Sequence, residues 1–362
     1  MRRTPALIVG GGPAGSAAAI GLARAGLTPL LIERDAETRD ALCGGFLSWA
    51  TIARLAALGV DPVALGAQRI DRVALLHGTQ QSEARLPAPA AALSRRTLDT
   101  ALLAAAAQAG AGIERGVGAR AFEAGALRLD DGGTIAGDSL ILATGKHELR
   151  GAARPKAGAN AAIGLRWRLA ASPALTRLVA GRIELHLFRG GYAGLNLQED
   201  GGANLCLAVR PTQFAEADSR PDTLLAQLAA DAPALAARIA AASAVGPAQA
   251  IANVPYGWRA TVGEIGLYRV GDQCGVIPSL AGEGMAIAIA SGAAAAEAIA
   301  RGEPATRFQP RFARRLRRPV SLAAALWHAA EHPAGARALI LAVRAAPQLA
   351  TLAARLTRLD GR

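Results

Sequence analysis

The sequence predicts an α/β fold in which a mostly parallel sheet is interrupted by an inserted antiparallel sheet and followed by a helical C-terminus. Three observations predict it. Short apolar runs of buried-strand length alternate with alanine-rich helical stretches at both ends of the chain. Between about 160 and 210 the pattern changes to period two, with glycine pairs at the turns. The last stretch, residues 304–362, reads as helical and basic.

The elements follow in order. Ala6-Leu7-Ile8-Val9 reads as a strand that stops at Gly10-Gly11-Gly12, and residues 13 to 25 read as a helix with Pro13 in its first turn and Gly26 as its C-cap. Pro29 to Glu33 reads as the next parallel strand, which completes a βαβ unit. Ile70 to His77 is strand-like, and Leu86-Pro87-Ala88-Pro89 is expected to turn. A helix from Leu93 to Ala109, a strand from Ile113 to Val117, a turn at Asp131-Gly132-Gly133 and a buried strand from Ser139 to Ala143 return the chain to the parallel sheet. Ala162 to Leu169, Arg182 to Phe188, Tyr192 to Gln198 and Asn204 to Val209 read as antiparallel strands joined by hairpins. Residues 222 to 242 are helical, Ile265 to Val270 is a strand, and a long alanine-rich helix ends near Ala300. This organisation divides the chain into a discontinuous nucleotide-type domain (1–66, 94–154 and 260–303), an inserted substrate domain (67–93 and 155–259) and a helical C-terminal segment (304–362).

Composition narrows the function classes. A 362-residue chain that is 52% hydrophobic and 19% charged can bury a sizeable core in two interleaved domains. The net charge of +12 is spread along the chain and, apart from Lys146 and Lys156, is carried by arginine, as GC-rich coding favours. Its one dense patch, Arg311, Arg314, Arg315, Arg317 and Arg318, has no aromatic platform for stacking bases, so no nucleic-acid partner is expected. Cys43, Cys206 and Cys274 form neither a CxxC pair nor a metal spacing, which fits a reducing cytoplasm. His328-x-x-x-His332 lacks the inner Glu of a zinc protease helix. No metal site is expected. The uncharged stretch from Pro5 to Ala23 imitates a signal peptide or membrane span, but Gly10-Gly11-Gly12-Pro13 would break it in the middle, and a soluble protein is expected.

Chemistry is carried first by Gly10-x-Gly12-x-x-Gly15, set directly between a strand and a helix. Gly10 allows the tight turn, Gly12 lets backbone approach a pyrophosphate, and Gly15 permits close helix packing. Backbone N–H groups and the helix dipole then favour the diphosphate. Glu33 ends the second strand, where a carboxylate can accept from both hydroxyls of a ribose and disfavours a 2′-phosphate.

The stretch Val270-Gly271-Asp272 through Pro278-Ser279-Leu280-Ala281-Gly282-Glu283-Gly284-Met285-Ala286 resembles the second FAD motif of the p-hydroxybenzoate hydroxylase-like flavoproteins, and in particular their geranylgeranyl-reductase-like branch. The resemblance implies a Rossmann-like FAD-binding domain of the ββα sandwich type and FAD as cofactor. It further implies that Asp272 bonds the ribityl chain and that Gly282 and Gly284 bring a helix N-terminus to the flavin pyrimidine ring. This chain has one more residue between Pro278 and Gly282-Glu283-Gly284 than the usual family spacing. Arg95-x-x-Leu98-Asp99 is similar to the family segment whose arginine lies against the diphosphate, and Cys43-Gly44-Gly45 to a loop that passes the isoalloxazine. Ala143-Thr144-Gly145 matches the strand end where main chain approaches the cofactor, but Lys146-His147 departs from the hydroxylase pattern, as does Gly275. Carried over position by position, the resemblance adds Ala14, Arg34, Val117, Gly271 and Met285 to the cofactor-binding set.

On the substrate side, Tyr192, His186, Trp167, Tyr256 and Trp258 are candidate pocket residues, with Tyr192 preferred because the branch carries Gly-Tyr at a comparable point. Cys43 is either a proton donor or gate, or a small buried residue in a glycine loop. The catalytic candidates are thus Cys43 and Tyr192. No second GxGxxG follows a strand, so electrons are expected from NAD(P)H visiting the flavin or from a redox partner protein. The resemblance implies flavin N5 hydride chemistry on a lipophilic small molecule, reducing a C=C bond or dehydrogenating. The alternatives are monooxygenation of an aromatic or polyketide-like substrate through a flavin hydroperoxide, and a flavin carrier without turnover. Leu322 to Trp327 and Leu339 to Val343 are expected to pack on the FAD domain, with capping of a substrate tunnel or peripheral contact with a membrane surface as lesser alternatives.

Overall fold

The computed structural model describes residues 2–123, 125–155, 158 and 160–359. β1 (Arg2–Val9) leads through the glycine turn into α1 (Pro13–Arg24), and β2 (Pro29–Glu33) follows. Gly26, at φ +80°, closes α1 in the left-handed conformation that glycine adopts without steric cost. Then come β3 (Phe46–Leu47), α2 (Trp49–Ala57), β4 (Gln68–His77), β5 (Gln80–Ala92) and α3 (Arg95–Gln108). Ser48 and Ser94 start α2 and α3 by accepting from Thr51 N and Thr97 N. The chain continues through β6 (Gly112–Arg115), β7 (Ala119–Glu123), β8 (Ala126–Leu129), β9 (Thr134–Leu142), β10 (Ala162–Leu169), α4 (Pro173–Val179), β11 (Gly181–Phe188), β12 (Gly191–Leu197) and β13 (Ala203–Val209). After α5 (Pro211–Ala215), α6 (Pro221–Asp231), α7 (Pro233–Ala240), β14 (Gln249–Val254) and β15 (Leu267–Arg269), four helices finish it: α8 (Gly284–Ala300), α9 (Ala305–Ala330), α10 (Pro333–Ala345) and α11 (Gln348–Leu356).

The elements build two sheets. The first has the order β6-β2-β1-β9-β8-β7, with β15 parallel to β9. β1 lies between β2 and β9, parallel to both, in register Val9 with Ile32 and Val9 with Leu142. The glycine turn therefore leaves from the sheet centre, where helices cover the strand ends. The second sheet has the order β14-β10-β13-β12-β11-β4-β5-β3. The main core joins Ile8, Leu31 and Ile141 of the first sheet to α1, α3, α8 and the Phe308, Phe312 and Leu316 face of α9. The C-terminal segment thus packs into the nucleotide-domain core through α9, while α10 and α11 lie on β4 and β5.

Several elements differ from the sequence reading. Leu86 to Pro89, expected to turn, lies within β5. The ladder to β4 skips there from Ala90 to Arg85, so Pro87 and Pro89 lack only an N–H that no partner needs. The second sheet is not purely antiparallel, because α4 separates β10 from β11 and β11 runs parallel to β4. Pro233 divides the expected 222–242 helix into α6 and α7. β3, inside the span assigned to the nucleotide domain, pairs instead with β5 of the second sheet through Phe46 and Leu47. No single described helix is long and apolar enough to cross a membrane.

Candidate functional site

The first glycine turn is shaped by what it cannot accommodate. Gly10 adopts φ +105°, and a Cβ there would lie 2.6 Å from Ala143 O; a Cβ on Gly15 would lie 1.9 Å from Gly10 O. Gly12 caps α1 in an extended conformation with no side-chain hydrogen bond, so the first N–H groups of the helix are left for another acceptor. Glu33 Oε2 accepts from Gly11 N at 2.6 Å and Oε1 from Asp35 N at 3.0 Å, and each carboxylate oxygen retains a second acceptor position. Arg95 forks onto Asp99 at 2.8 and 2.6 Å, and its Nη2 stands 3.3 Å from where a Gly12 Cβ would be.

A second glycine turn faces the first. Gly271, at φ +59°, has room for a Cβ only at 3.1 Å from Ala14 Cβ, so the two turns touch. Asp272 Oδ2 pairs with Lys146 Nζ at 3.2 Å, and Asp272 O accepts from Arg154. The Asp272 charge holds the Lys146 ammonium above the usual lysine range. Ser279 to Ala281 form one 3-10 turn, and Gly282 leaves it at φ +63° against the Phe46 ring. Gly284 then opens α8, which has no side-chain cap. Between those glycines, Glu283 points away into the protein: it pairs with Arg358 at 2.7 Å and accepts from Ser48 Oγ and Leu359 N.

The third part is the loop from Asp40 to Gly45, held from the second sheet. Arg166 is buried, and a buried guanidinium costs several kcal/mol unless it is matched. It pairs with the Asp40 carboxylate and donates to Asp40 O, Ala41 O, Asn204 Oδ1 and Gln249 Oε1. Asn204 donates to Cys43 O at 2.8 Å, Asn196 to Gly44 O at 2.8 Å, and Cys206 Sγ lies 3.2 Å from Cys43 O. Burial pushes the Cys206 thiol up to about 12, so it acts as a neutral donor.

These parts enclose one cavity of about 510 Å³. Above the second glycine turn, Ser279 Oγ joins Tyr192 Oη at 2.8 Å to Tyr256 Oη at 2.5 Å. Trp327 stands edge-on to both rings, 5.8 and 5.7 Å between centroids. Burial raises both phenols above the usual tyrosine range, Tyr192 well above it, so both remain protonated. The far wall is aliphatic: Val73, Leu75, Ile183, Leu185 and Leu187 from the sheet, facing Leu339 and Val343 of α10.

Residues 3–130 match the family described as FAD binding domain. The fold aligns with a flavin-dependent brominase at TM-score 0.81 and 18% identity, covering 98% of this chain and 93% of that one. It aligns with a geranylgeranyl bacteriochlorophyll reductase-like protein of Thermoplasma acidophilum at TM-score 0.76 and 20% identity, covering 99% and 94%. Residues 3–130 thus match an FAD binding domain, and the whole chain shares the fold of these flavin-dependent and reductase-like proteins. In sequence, the chain is 31% identical over 166 residues to a menaquinone reductase of Mycolicibacterium smegmatis, spanning 41% of this chain and about 39% of that relative.

The residues present fit the FAD that such a domain implies in two respects: two uncapped helix N-termini, α1 and α8, border one cavity, and glycines stand where a Cβ would strike backbone. Of the residues expected from sequence, Gly12, Ala14, Cys43, Gly44, Gly45, Arg95, Ala143, Gly145, Tyr192, Gly271, Asp272, Gly282, Gly284 and Met285 line the cavity. Gly10, Gly15 and Thr144 stand behind its wall in backbone packing. Glu33, Arg34 and Val117 lie at the β2 end, where Val117 N donates to Glu33 O and Arg34 meets His147. Tyr256 lines the cavity, whereas His186, Trp167 and Trp258 do not. Strand alternation is the reason for two of these: with Leu185 and Leu187 facing the cavity, His186 must face the other side of β11, where it meets Glu184. Trp167, three positions from cavity-lining Gly164, is likewise turned away and donates to Asp222. Trp258 lies instead under the Arg154 guanidinium. Sequence reasoning missed Arg166, Asn196, Asn204 and Cys206. Their one local signal was a polar residue at alternate positions of otherwise apolar strands, in Asn196-Leu197-Gln198 and Asn204-Leu205-Cys206.

Proposed function

We propose that this flavoprotein exchanges two electrons with a lipophilic small molecule, saturating a C=C bond or running that reaction in the dehydrogenating direction. The observation that carries the reading is the continuity of the cavity, which joins both glycine turns to an aliphatic wall without a break. The charged side chains in its wall, Arg95, Lys146, Asp272 and Arg358, are each tied to an element of the glycine end, so the remote part is left for an apolar substrate. The partial similarity to a menaquinone reductase supports a reduction and an isoprenoid-bearing substrate.

FAD would supply two-electron transfer at its N5. Gly12 and Ala14 would give backbone N–H groups, and Arg95 a guanidinium, to the diphosphate. Glu33 would hold the adenosine ribose and Asp272 the ribityl chain. Gly282, Gly284 and Met285 would bring the α8 N-terminus to the pyrimidine end, with Gly44, Gly45, Ala143 and Gly145 as close backbone. Proton delivery falls to the chain's own groups. Tyr192 Oη and Tyr256 Oη stay protonated and meet at Ser279 Oγ, so a proton given up at one phenol is replaced through the serine. Cys43, hydrogen-bonded at Sγ by Gly45 N at 3.5 Å, is the second donor at the same cavity. Electrons would arrive from NAD(P)H or a redox partner protein.

The test is a single turnover without oxygen. The FAD-loaded protein is reduced with dithionite and mixed with a menaquinone or a geranylgeranyl lipid. The expected result is return of the oxidised flavin spectrum and a product that stays heavier by two hydrogens after air oxidation, which returns a quinol to its quinone but leaves a saturated C–C bond. Reoxidation only on admission of labelled oxygen, with the label in the product, would overturn this in favour of hydroxylation. No reoxidation by either lipid, and reoxidation by oxygen that forms peroxide and leaves the lipid unchanged, would leave a flavin carrier.

A further inference from the structure

We propose that α10 and α11 form a docking surface for an anionic lipid bilayer, with the mouth of the cavity beneath α11. Three of the seven exposed large apolar side chains among the described residues fall on these two helices: Leu341 at 54%, Leu349 at 45% and Leu352 at 51%. From His332 to Leu359 the chain carries Arg337, Arg344, Arg355 and Arg358 and no carboxylate. Arg337 and Arg355 are exposed on the same helices as the leucines. Apolar side chains standing out between cations, with no acid among them, complement a lipid surface of negative charge.

The geometry favours the interface plane. Together α10 and α11 have the length and composition of a span, but they meet at 115°. Their inner side is fastened: Arg344 donates to Gln81 O, Thr351 to Arg85 O, and Arg358 to Ala281 O and Glu283. The leucines therefore stand on a fixed support rather than on a free tail. Leu349 belongs to both surfaces, since it is exposed and also lines the cavity with Ala350, Ala353 and Ala354. An apolar molecule leaving a bilayer at this face would enter the cavity without crossing water.

The experiment is co-sedimentation of the FAD-loaded full chain with vesicles of phosphatidylcholine, alone or with phosphatidylglycerol, at low and high salt. Binding to the phosphatidylglycerol vesicles at low salt and release at high salt are expected. Arg337→Gln with Arg355→Gln should weaken binding roughly fivefold per arginine. Leu349→Ser with Leu352→Ser should weaken it at both salt concentrations, and retention of the flavin spectrum shows that each variant is folded. Wild-type protein that stays in the supernatant, or variants that sediment like wild type, overturns the proposal. So does a wild-type dimer in light scattering that the leucine variant converts to monomer, because the face would then be covered by a second copy. Because sedimentation reads binding alone, its failure leaves the redox reading intact.

Discussion

Gly292→Ala adds a single methyl group where α8 crosses α1. The new Cβ would lie 2.1 Å from Ala14 O, 3.0 Å from Ala14 C and 3.1 Å from Ala18 N. Carbon and carbonyl oxygen rest at roughly 3.3 Å, so the helices must part by about 1 Å. Overpacking of this kind costs about 1–3 kcal/mol. In a chain of this size that lowers the Tm by roughly 1–4 °C. The same displacement separates Pro13 from Gly284, the starts of the two helices that border the cavity. Losing one well-placed hydrogen bond to the cofactor, about 1 kcal/mol, raises the Kd for FAD roughly fivefold. Thermal melting of the apoprotein and titration of flavin fluorescence read the two effects separately. Gly284→Val supplies the contrast, since a Cβ there meets nothing within 4 Å. It should leave the apoprotein Tm within about 2 °C of wild type while weakening FAD binding. A Gly292→Ala protein with wild-type Tm and wild-type Kd would refute the claim that the spacing of α1 and α8 sets the grip on the cofactor.

Other perturbations test the remaining parts of the site. Glu33→Ala removes an acceptor that already holds Gly11 N, and FAD affinity should fall about 10- to 150-fold by equilibrium titration. Tyr192→Phe breaks the bond to Ser279 and should lower single-turnover lipid reduction by about 10²-fold or more with FAD content unchanged. Cys43→Ala should keep its yellow colour and lose turnover; full turnover in either variant removes that residue from the mechanism. Burial alone would raise the Glu331 carboxyl, but hydrogen bonds from Arg210 and His328 outweigh it and hold it below its ordinary 4.5. Its stabilisation is therefore present above pH 4.5 and is lost as pH falls through the lower folded-state value. Glu331→Gln should flatten the acid limb of a stability-against-pH curve, and an unchanged slope below pH 4.5 would remove the group from acid unfolding.

The sequence by itself determined the nucleotide half of the protein. A buried strand that ends in Gly10-Gly11-Gly12, a helix capped by Gly26 and the acid at Glu33 are local signals, because each depends on backbone conformation or on a hydrophobic period within a few residues. The second glycine motif was recognised only through its resemblance to a known flavoprotein segment, and the structure brings Asp272, Gly282 and Gly284 to the same cavity as the first. Local signals failed where partners came from afar. Pro87 and Pro89 spelled a turn, yet they sit in a strand because a ladder gap opposite them asks for no N–H. Tyr192 was preferred to His186 only on a resemblance, and it was strand pairing that assigned the two to opposite faces. Arg166, 126 positions from Asp40, had no sequence signal as the clamp of the Cys43 loop. The closure of the cavity by α10 and α11, and the Glu283–Arg358 pair that ties the segment after α11 to the second glycine turn, were likewise decided only in three dimensions. Backbone turns are written in consecutive residues, whereas a pocket wall is written in strand parity and in contacts between residues far apart along the chain.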